Sequence, residues 1–518
     1  QMTTIKQSSI YKKPMDKTIF KASAQWDKDI SVEAFVVFVI EDQAEIEKQT
    51  TFLAETDKES VLKSIKADGF KGKKNSIFVH ALSQSESARK LIFVGLGEKV
   101  KLTDEVLRFA AAQATKTAQS SNIVSLALLA TEYLPKRKKV GDSIPDVVEG
   151  VLLSQYKFKK YKSPDPDEKK VIAEVVLIHK DKKALQAVKK SIEKGEQYAY
   201  GAMLARDLVN EPGDEVTPTV LKEKAEEIAK ASPLITCKVL DKTELKKKGF
   251  GSILAVARGS EQPPYLVHLT YKPRQATKKK VFLIGKGITF DSGGISLKPS
   301  DGMETMKMDM AGAATVLGVF SQIAQSLPRV EVHGLVATCE NLPSGTAIKP
   351  GDVVTAFNKK TIEVLNTDAE GRMVLADALS YAETFKPDSI VDLATLTGAC
   401  IVALGNDVAA ILGTDQQLIK SVEKASQDAG ERMWQLPLEE EYAEAMKSDI
   451  ADVKNISTPG TGAGTITGAL FLKNFVQETP WAHLDIAGPA WSSKEKGYIS
   501  KGGTGFGVRT LLRFLQDV

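Results

Sequence analysis

Seven consecutive residues, Asn366-Thr367-Asp368-Ala369-Glu370-Gly371-Arg372, set two carboxylates two positions apart and follow them with a glycine and an arginine. The residues from Met373 onward read as the first turns of a helix. Two oxygen ligands and a fixed cation therefore share one short loop at a helix start. A second segment, 281–298, reads as a strand that carries Lys286 to its C-terminal end, followed by Asp291-Ser292-Gly293-Gly294 and Lys298. Glycines on both sides of Lys286 and after Asp291 let the backbone approach a ligand closely. A third acid, Asp309, stands among methionines just before the small-residue helix that begins at Ala311. A helix N-terminus favours its ionised form.

Asp291, Asp309, Asp368 and Glu370 are thus four acids in glycine-rich loops at strand ends. Brought together without a cation, some of them would titrate well above the usual range. Metal ions remove that cost, and since one carboxylate can bridge two ions, four acids suffice for a two-metal site. The five histidines (His80, His179, His268, His333, His483) are not at metal-ligand spacing. The site is expected to be rich in oxygen, which suits magnesium or manganese and is tolerated by zinc. Singly, each piece has an ordinary reading: a turn aspartate, a helix cap, a solvated lysine, an Arg372 paired with Asp368. Their joint occurrence and the glycine spacing point to a two-metal hydrolase. A two-metal phosphoesterase would use the same acids, but it would need a cationic clamp on phosphate and no apolar side-chain pocket.

The elements that must position these residues alternate. Strands are expected near 33–40, 91–94, 123–129, 171–179, 281–284, 330–339 and 389–396. Helices are expected over 103–118, 217–232, 311–326, 373–384, 418–431 and 468–478, with Pro218 in a first turn. Such alternation predicts an α/β fold, with ligands at the C-terminal ends of strands. At 518 residues the chain is too long for one ordinary domain. The division read from it is a flexible tail over 1–22, an α/β domain over 23–182, a linking helix over 183–209 and a catalytic domain over 210–518. Gly95-x-Gly97 lacks the third glycine of a dinucleotide fingerprint and reads as a plain turn.

Composition narrows the function further. A net charge of +4 makes no general case for nucleic acid, and the lysine stretches 136–139 and 278–280 read as solvated. Three separated cysteines argue against a disulfide framework. No apolar run is long enough to span a bilayer, and the polar first residues lack the apolar core of a secretory signal. A cytoplasmic protein without membrane or nucleic-acid partners is expected.

The segment 366–372 resembles the signature of the leucine aminopeptidase family of two-zinc cytosolic exopeptidases. So do 285–298, 308–314, Asn341-Leu342-Pro343-Ser344-Gly345, Lys349-Pro350-Gly351-Asp352, Ala394-Thr395-Leu396-Thr397-Gly398-Ala399 and Trp481-Ala482-His483-Leu484-Asp485-Ile486-Ala487-Gly488, in the family's order from about Ala205 onward. Met373 departs from the usual leucine, a conservative swap. The resemblance implies two domains, a smaller macro-domain-like α/β domain and a larger catalytic α/β domain with a central mixed sheet. It implies one zinc on Lys286, Asp291, Asp309 and Glu370 and a second on Asp291, Asp368 and Glu370, with manganese or magnesium as alternatives. In this family Lys298 polarises the scissile carbonyl and Arg372 holds a bicarbonate base. The side-chain pocket maps to Met306, Thr395, Leu396, Gly398 and Ala487. Peptide substrates with leucine-like N-termini and a homohexamer are further implications. The Gly- and Thr-rich segment 458–467 corresponds to a loop near the active site.

Overall fold

The computed structural model describes residues 18–24, 30–83, 88–129, 142–179 and 181–518. Residues 1–17 of the expected tail and the lysine stretch 136–139 lie outside the described residues. Two compact units divide the chain: Lys12–Ala199 with Glu495–Ser500, and Tyr200–Lys494 with Lys501–Val518. The boundary falls inside the long helix Leu185–Asn210.

The smaller unit is built on strands β1 (Ile19–Ser23), β2 (Ala34–Ile40), β3 (Ile77–Ala81), β4 (Lys90–Gly97), β5 (Ser125–Leu129) and β6 (Glu174–Ile178), ordered β1-β6-β5-β2-β4-β3. All pairs are parallel except β3–β4 at one edge. β2, Ala-Phe-Val-Val-Phe-Val-Ile, is buried along its whole length, as an apolar run covered on both faces must be. Each such side chain contributes about 1.5–3 kcal/mol of burial. β1 begins where a tail was expected through 22. Its mixed sequence gives no apolar run, but it pairs in register with β6, and Lys21 meets Glu174 at 2.7 Å. Gly95 is explained by backbone approach instead of phosphate: a Cβ there would fall 2.0 Å from the Lys73 carbonyl oxygen.

The larger unit holds an eight-stranded mixed sheet. Its strands are β7 (Ile235–Leu240), β8 (Tyr265–Tyr271), β9 (Lys280–Asp291), β10 (Glu331–Asn341), β13 (Ser389–Ala394), β14 (Ala409–Gly413), β15 (Met433–Gln435) and β17 (Trp481–Asp485). A small sheet of β11 (Val353–Thr355), β12 (Thr361–Glu363) and β16 (Val453–Lys454) stands apart from it. The main order is β15-β14-β17-β13-β9-β10-β8-β7, and the four central strands β17, β13, β9 and β10 run parallel. β9 is longer than the strand expected over 281–284, because Gly285-Lys286-Gly287 continues it instead of breaking it. Glycine at 285 is required: a Cβ would fall 2.4 Å from the Gly312 carbonyl oxygen of the helix Ala311–Ser326. That helix buries Val316, Leu317, Phe320 and Ile323, and truncating Phe320 to alanine would cost about 3–5 kcal/mol. The helix expected over 468–478 runs Gly464–Lys473, so the second half of the Gly- and Thr-rich segment is helical and buries Thr465 and Thr467. Among the described residues, no helix is long and apolar enough to cross a membrane.

Candidate metal centre

All four central parallel strands end at one place. β9 ends in Asp291, β10 in Asn341 and β17 in Asp485, while Thr395 follows directly on β13. This is where an open α/β sheet collects its ligands. The acid-bearing loop 366–370 meets the same edge at the start of the helix Gly371–Glu383. Glycine at 371 leaves room for Lys286, since a Cβ would lie 2.5 Å from its Nζ.

Asp291, Asp309 and Glu370 are buried and offer carboxylate oxygens that lie within 4.8 Å of one another. Lys286 Nζ sits among them, 2.7 Å from Asp309 Oδ2, 2.8 Å from Glu370 Oε1 and 3.1 Å from the Thr395 carbonyl oxygen. Lys298 Nζ lies 2.8 Å from Asp291 Oδ2 and also pairs with Asp368. Two lysines therefore face four acids, leaving two negative charges in excess when all are ionised. Burial pushes Asp309 well above the carboxylate range and raises Glu370 and Asp368; the lysines pull each of them back. Burial alone would lower Lys286 and Lys298, but the surrounding carboxylates outweigh it and raise both.

Four carboxylate oxygens in this cluster, Asp309 Oδ2, Asp368 Oδ1 and both oxygens of Glu370, are buried without a hydrogen-bond partner. Three of them stand at ion-pair distance from a lysine ammonium group, which meets their charge in part. Buried carboxylates cost several kcal/mol unless a charge or donor completes them. Orphaned oxygens, excess negative charge and close spacing together fit divalent cations. Cations would also oppose the acids' pull on Lys286, the condition for a neutral amine ligand there.

Arg372 does not pair with Asp368. It is buried, its Nη1 donates to the Asn455 carbonyl oxygen at 2.8 Å, and its Nε has no partner. Burial lowers it to about 10, against the pull of Glu370 and Asp485. A buried guanidinium with an unused donor suits a small anion.

The expected pocket residues lie around the same edge. Met306 shares the 3-10 helix Met303–Met310 with Asp309, three positions away, where side chains eclipse. Thr395 Oγ1 donates to Asp309 Oδ1 at 2.7 Å, so its hydroxyl turns toward the acids. Leu396 and Ala487 are tied by their backbone N–H groups to Asp485 Oδ1, each at 3.2 Å. Gly398 opens the helix Gly398–Leu404, and a Cβ there would meet nothing within 4 Å.

Sequence reasoning missed the groups that hold this arrangement. Asn341 Nδ2 donates to Asp291 Oδ1 at 2.8 Å and to the Thr367 carbonyl oxygen at 3.0 Å, joining the two halves of the site. Thr367 Oγ1 donates to the Gly293 carbonyl oxygen at 2.6 Å and accepts from Ser296 N. Asp485 and Asn455 act similarly. Asn341 and Asp485 lie in segments that carry the family resemblance, which gave neither a role; Asn455 carried no signal.

Known proteins resemble this chain over most of its length. The profile of the cytosol aminopeptidase family, catalytic domain, matches residues 203–512, and that of its N-terminal domain matches 36–165. The chain is 45% identical to a probable cytosol aminopeptidase of Nostoc punctiforme, over 98% of this chain and 99% of the relative. It is 44% identical to one from Gloeobacter violaceus, over 88% of this chain and 91% of the relative. Among solved structures it resembles a mutant of tomato leucine aminopeptidase with a TM-score of 0.85 and 36% identity, covering 98% of each chain. It also resembles the bottromycin maturation enzyme BotP in complex with Mn, with a TM-score of 0.82 and 32% identity, over 94% of this chain and 99% of that one.

Proposed function

The chain belongs to the cytosol aminopeptidase family, and we propose that it removes N-terminal residues from peptides in a metal-dependent reaction, with a broad preference for leucine-like side chains. The observation that carries this reading is the buried convergence of Asp291, Asp309 and Glu370 with orphaned carboxylate oxygens at the ends of parallel strands. Lys286, Asp291, Asp309 and Glu370 would hold one divalent ion, and Asp291, Asp368 and Glu370 a second. Zinc, manganese or magnesium bound there supplies Lewis acidity and acidifies water.

The chain's own residues do the rest. Lys298 places fixed positive charge where the scissile carbonyl develops an oxyanion. Arg372 would hold a bicarbonate ion, which would supply general acid–base chemistry beside the scissile bond. Met306, with Thr395, Leu396, Gly398 and Ala487, shapes the side-chain pocket, and the pliable thioether allows breadth. The enzyme is read as cytoplasmic and as a homohexamer, which light scattering in solution checks.

The test compares a leucyl peptide, its N-acetylated form and a phosphate ester, each with and without chelator. Release from the free-amine peptide alone, abolished by chelator and restored by manganese or zinc, is expected. Hydrolysis of the phosphate ester in preference to the peptide, or chelator-resistant peptide hydrolysis, overturns the reading.

A further inference from the structure

We infer that Asn455 is a positioning residue that fixes the acid-bearing loop and the Arg372 guanidinium in one arrangement. The inference rests on the reading of Arg372 as an anion seat. Asn455 is fully buried. Its Oδ1 accepts from the backbone N–H of Leu365 at 2.9 Å and of Asn366 at 3.3 Å. Its Nδ2 donates to the carbonyl oxygens of Asn366 at 2.6 Å and Ala369 at 3.4 Å. Both faces of one carboxamide are thereby committed to a single loop.

That loop has little order of its own. Within 365–369 the backbone makes two internal bonds, from Ala369 N to the Asn366 carbonyl oxygen at 3.2 Å and from Asp368 N to Asn366 Oδ1 at 2.8 Å. The loop nevertheless carries Asp368 and delivers Glu370, and backbone groups in such a place must find partners. Asn455 supplies four of them from outside.

The main chain of Asn455 completes the device. Its N–H donates to the Glu363 carbonyl oxygen at 2.9 Å, extending the parallel β12–β16 pairing by one residue. Its carbonyl oxygen accepts from Arg372 Nη1. One residue therefore ties the small sheet, the loop of Asp368 and Glu370, and the guanidinium. Nothing but an amide serves: aspartate would set an acceptor against two carbonyl oxygens, and alanine would take a partner from the N–H groups of Leu365 and Asn366 and from the Ala369 carbonyl, leaving the Asn366 carbonyl only its bond from Ala369 N.

The experiment uses the metal-loaded full chain with Asn455→Ala and Asn455→Asp. Hydrolysis of leucine amide is followed over a bicarbonate series, retained manganese is measured by equilibrium dialysis, and folding is checked by thermal unfolding. We expect kcat to fall about 10- to 100-fold, the range for loss of a group that orients a ligand-bearing residue. KM should change little. Half-maximal activation should move to higher bicarbonate, or manganese retention should fall, in both variants alike. Aspartate keeps the volume and the acceptor, so a shared defect assigns the effect to the lost donors and not to a cavity. The inference is overturned if both variants keep the wild-type bicarbonate response and metal content, whatever their stability. It is also overturned if neither folds, which would give Asn455 to the fold alone. A wild type indifferent to bicarbonate would instead sink the reading of Arg372, with metal retention still judging Asn455.

Discussion

The buried charges around Arg108 and those around Lys286 are finished differently. In the smaller unit Arg108 is fully buried and meets Glu149 at 2.9 Å, Asp146 and Glu105, while the Tyr498 hydroxyl donates to Glu105 at 2.9 Å. Among the described residues, no nitrogen or oxygen of these side chains is buried without a partner. In the larger unit two lysines face four acids, and four buried carboxylate oxygens have no hydrogen-bond partner, three of them meeting only an ammonium charge. A guanidinium fork has five donors in a fixed plane and can satisfy three carboxylates; two ammonium groups cannot satisfy four. A completed cluster holds a fold together. An incomplete one, at the ends of parallel strands, is a place for a ligand.

Mutations can break this contrast. The largest effect is expected from Asp291→Ala, which should lower kcat/KM about 10⁴-fold, the scale for losing one member of a catalytic unit, with the protein still folded by thermal unfolding. Arg108→Ala should do the reverse. It leaves buried acids without their cation and costs about 3–5 kcal/mol in denaturant unfolding, while the folded fraction keeps its kcat. Lys298→Ala should lower kcat about 10²- to 10³-fold with a smaller change in KM, as steady-state kinetics would show. Chelation should lower the stability of the larger unit by about 2.7 kcal/mol relative to manganese at 100 times its Kd, and calorimetry should leave the smaller unit's transition in place.

The smallest effect concerns a third buried cluster, which sharpens the comparison because it is complete. His268 Nε2 and His333 Nδ1 lie 2.8 Å apart, and His333 Nε2 lies 2.8 Å from Glu331 Oε1. Burial lowers His268 from 6.5 to about 3, with His333 adding to it. Below 6.5 the unfolded chain then binds a proton that the folded chain refuses, so stability falls as pH drops from 6.5 toward 3. The slope from this group is at most about 1.4 kcal/mol per pH unit. Urea midpoints across that range should fall less steeply in His268→Gln, with kcat at neutral pH unchanged.

How much was legible in the sequence follows from the range of each interaction. β2 was readable because its seven buried residues are contiguous. The helix Ala311–Ser326 has the bounds expected of it, since its small and apolar residues form one contiguous local pattern. The acids and lysines were visible because glycines flank them. β9 was cut short because Lys286 looked like a strand end, although its charge is met by Asp309 and Glu370 from other elements. Asn341, Asn455 and Asp485 were given no role for the same reason. Asn455 meets loop residues 86 to 90 positions away, and a lone asparagine is ordinarily a turn residue. β1 was missed because its partner, β6, lies more than 150 residues on and its own sequence has no periodicity.

The most direct test is a manganese titration of chelator-stripped protein, with leucine amide hydrolysis followed at each addition. The acid cluster predicts no hydrolysis in the stripped, folded protein and activity that rises to a plateau at about two ions per chain. Full activity in the stripped protein, or a folded protein inert at every manganese or zinc concentration, would contradict it.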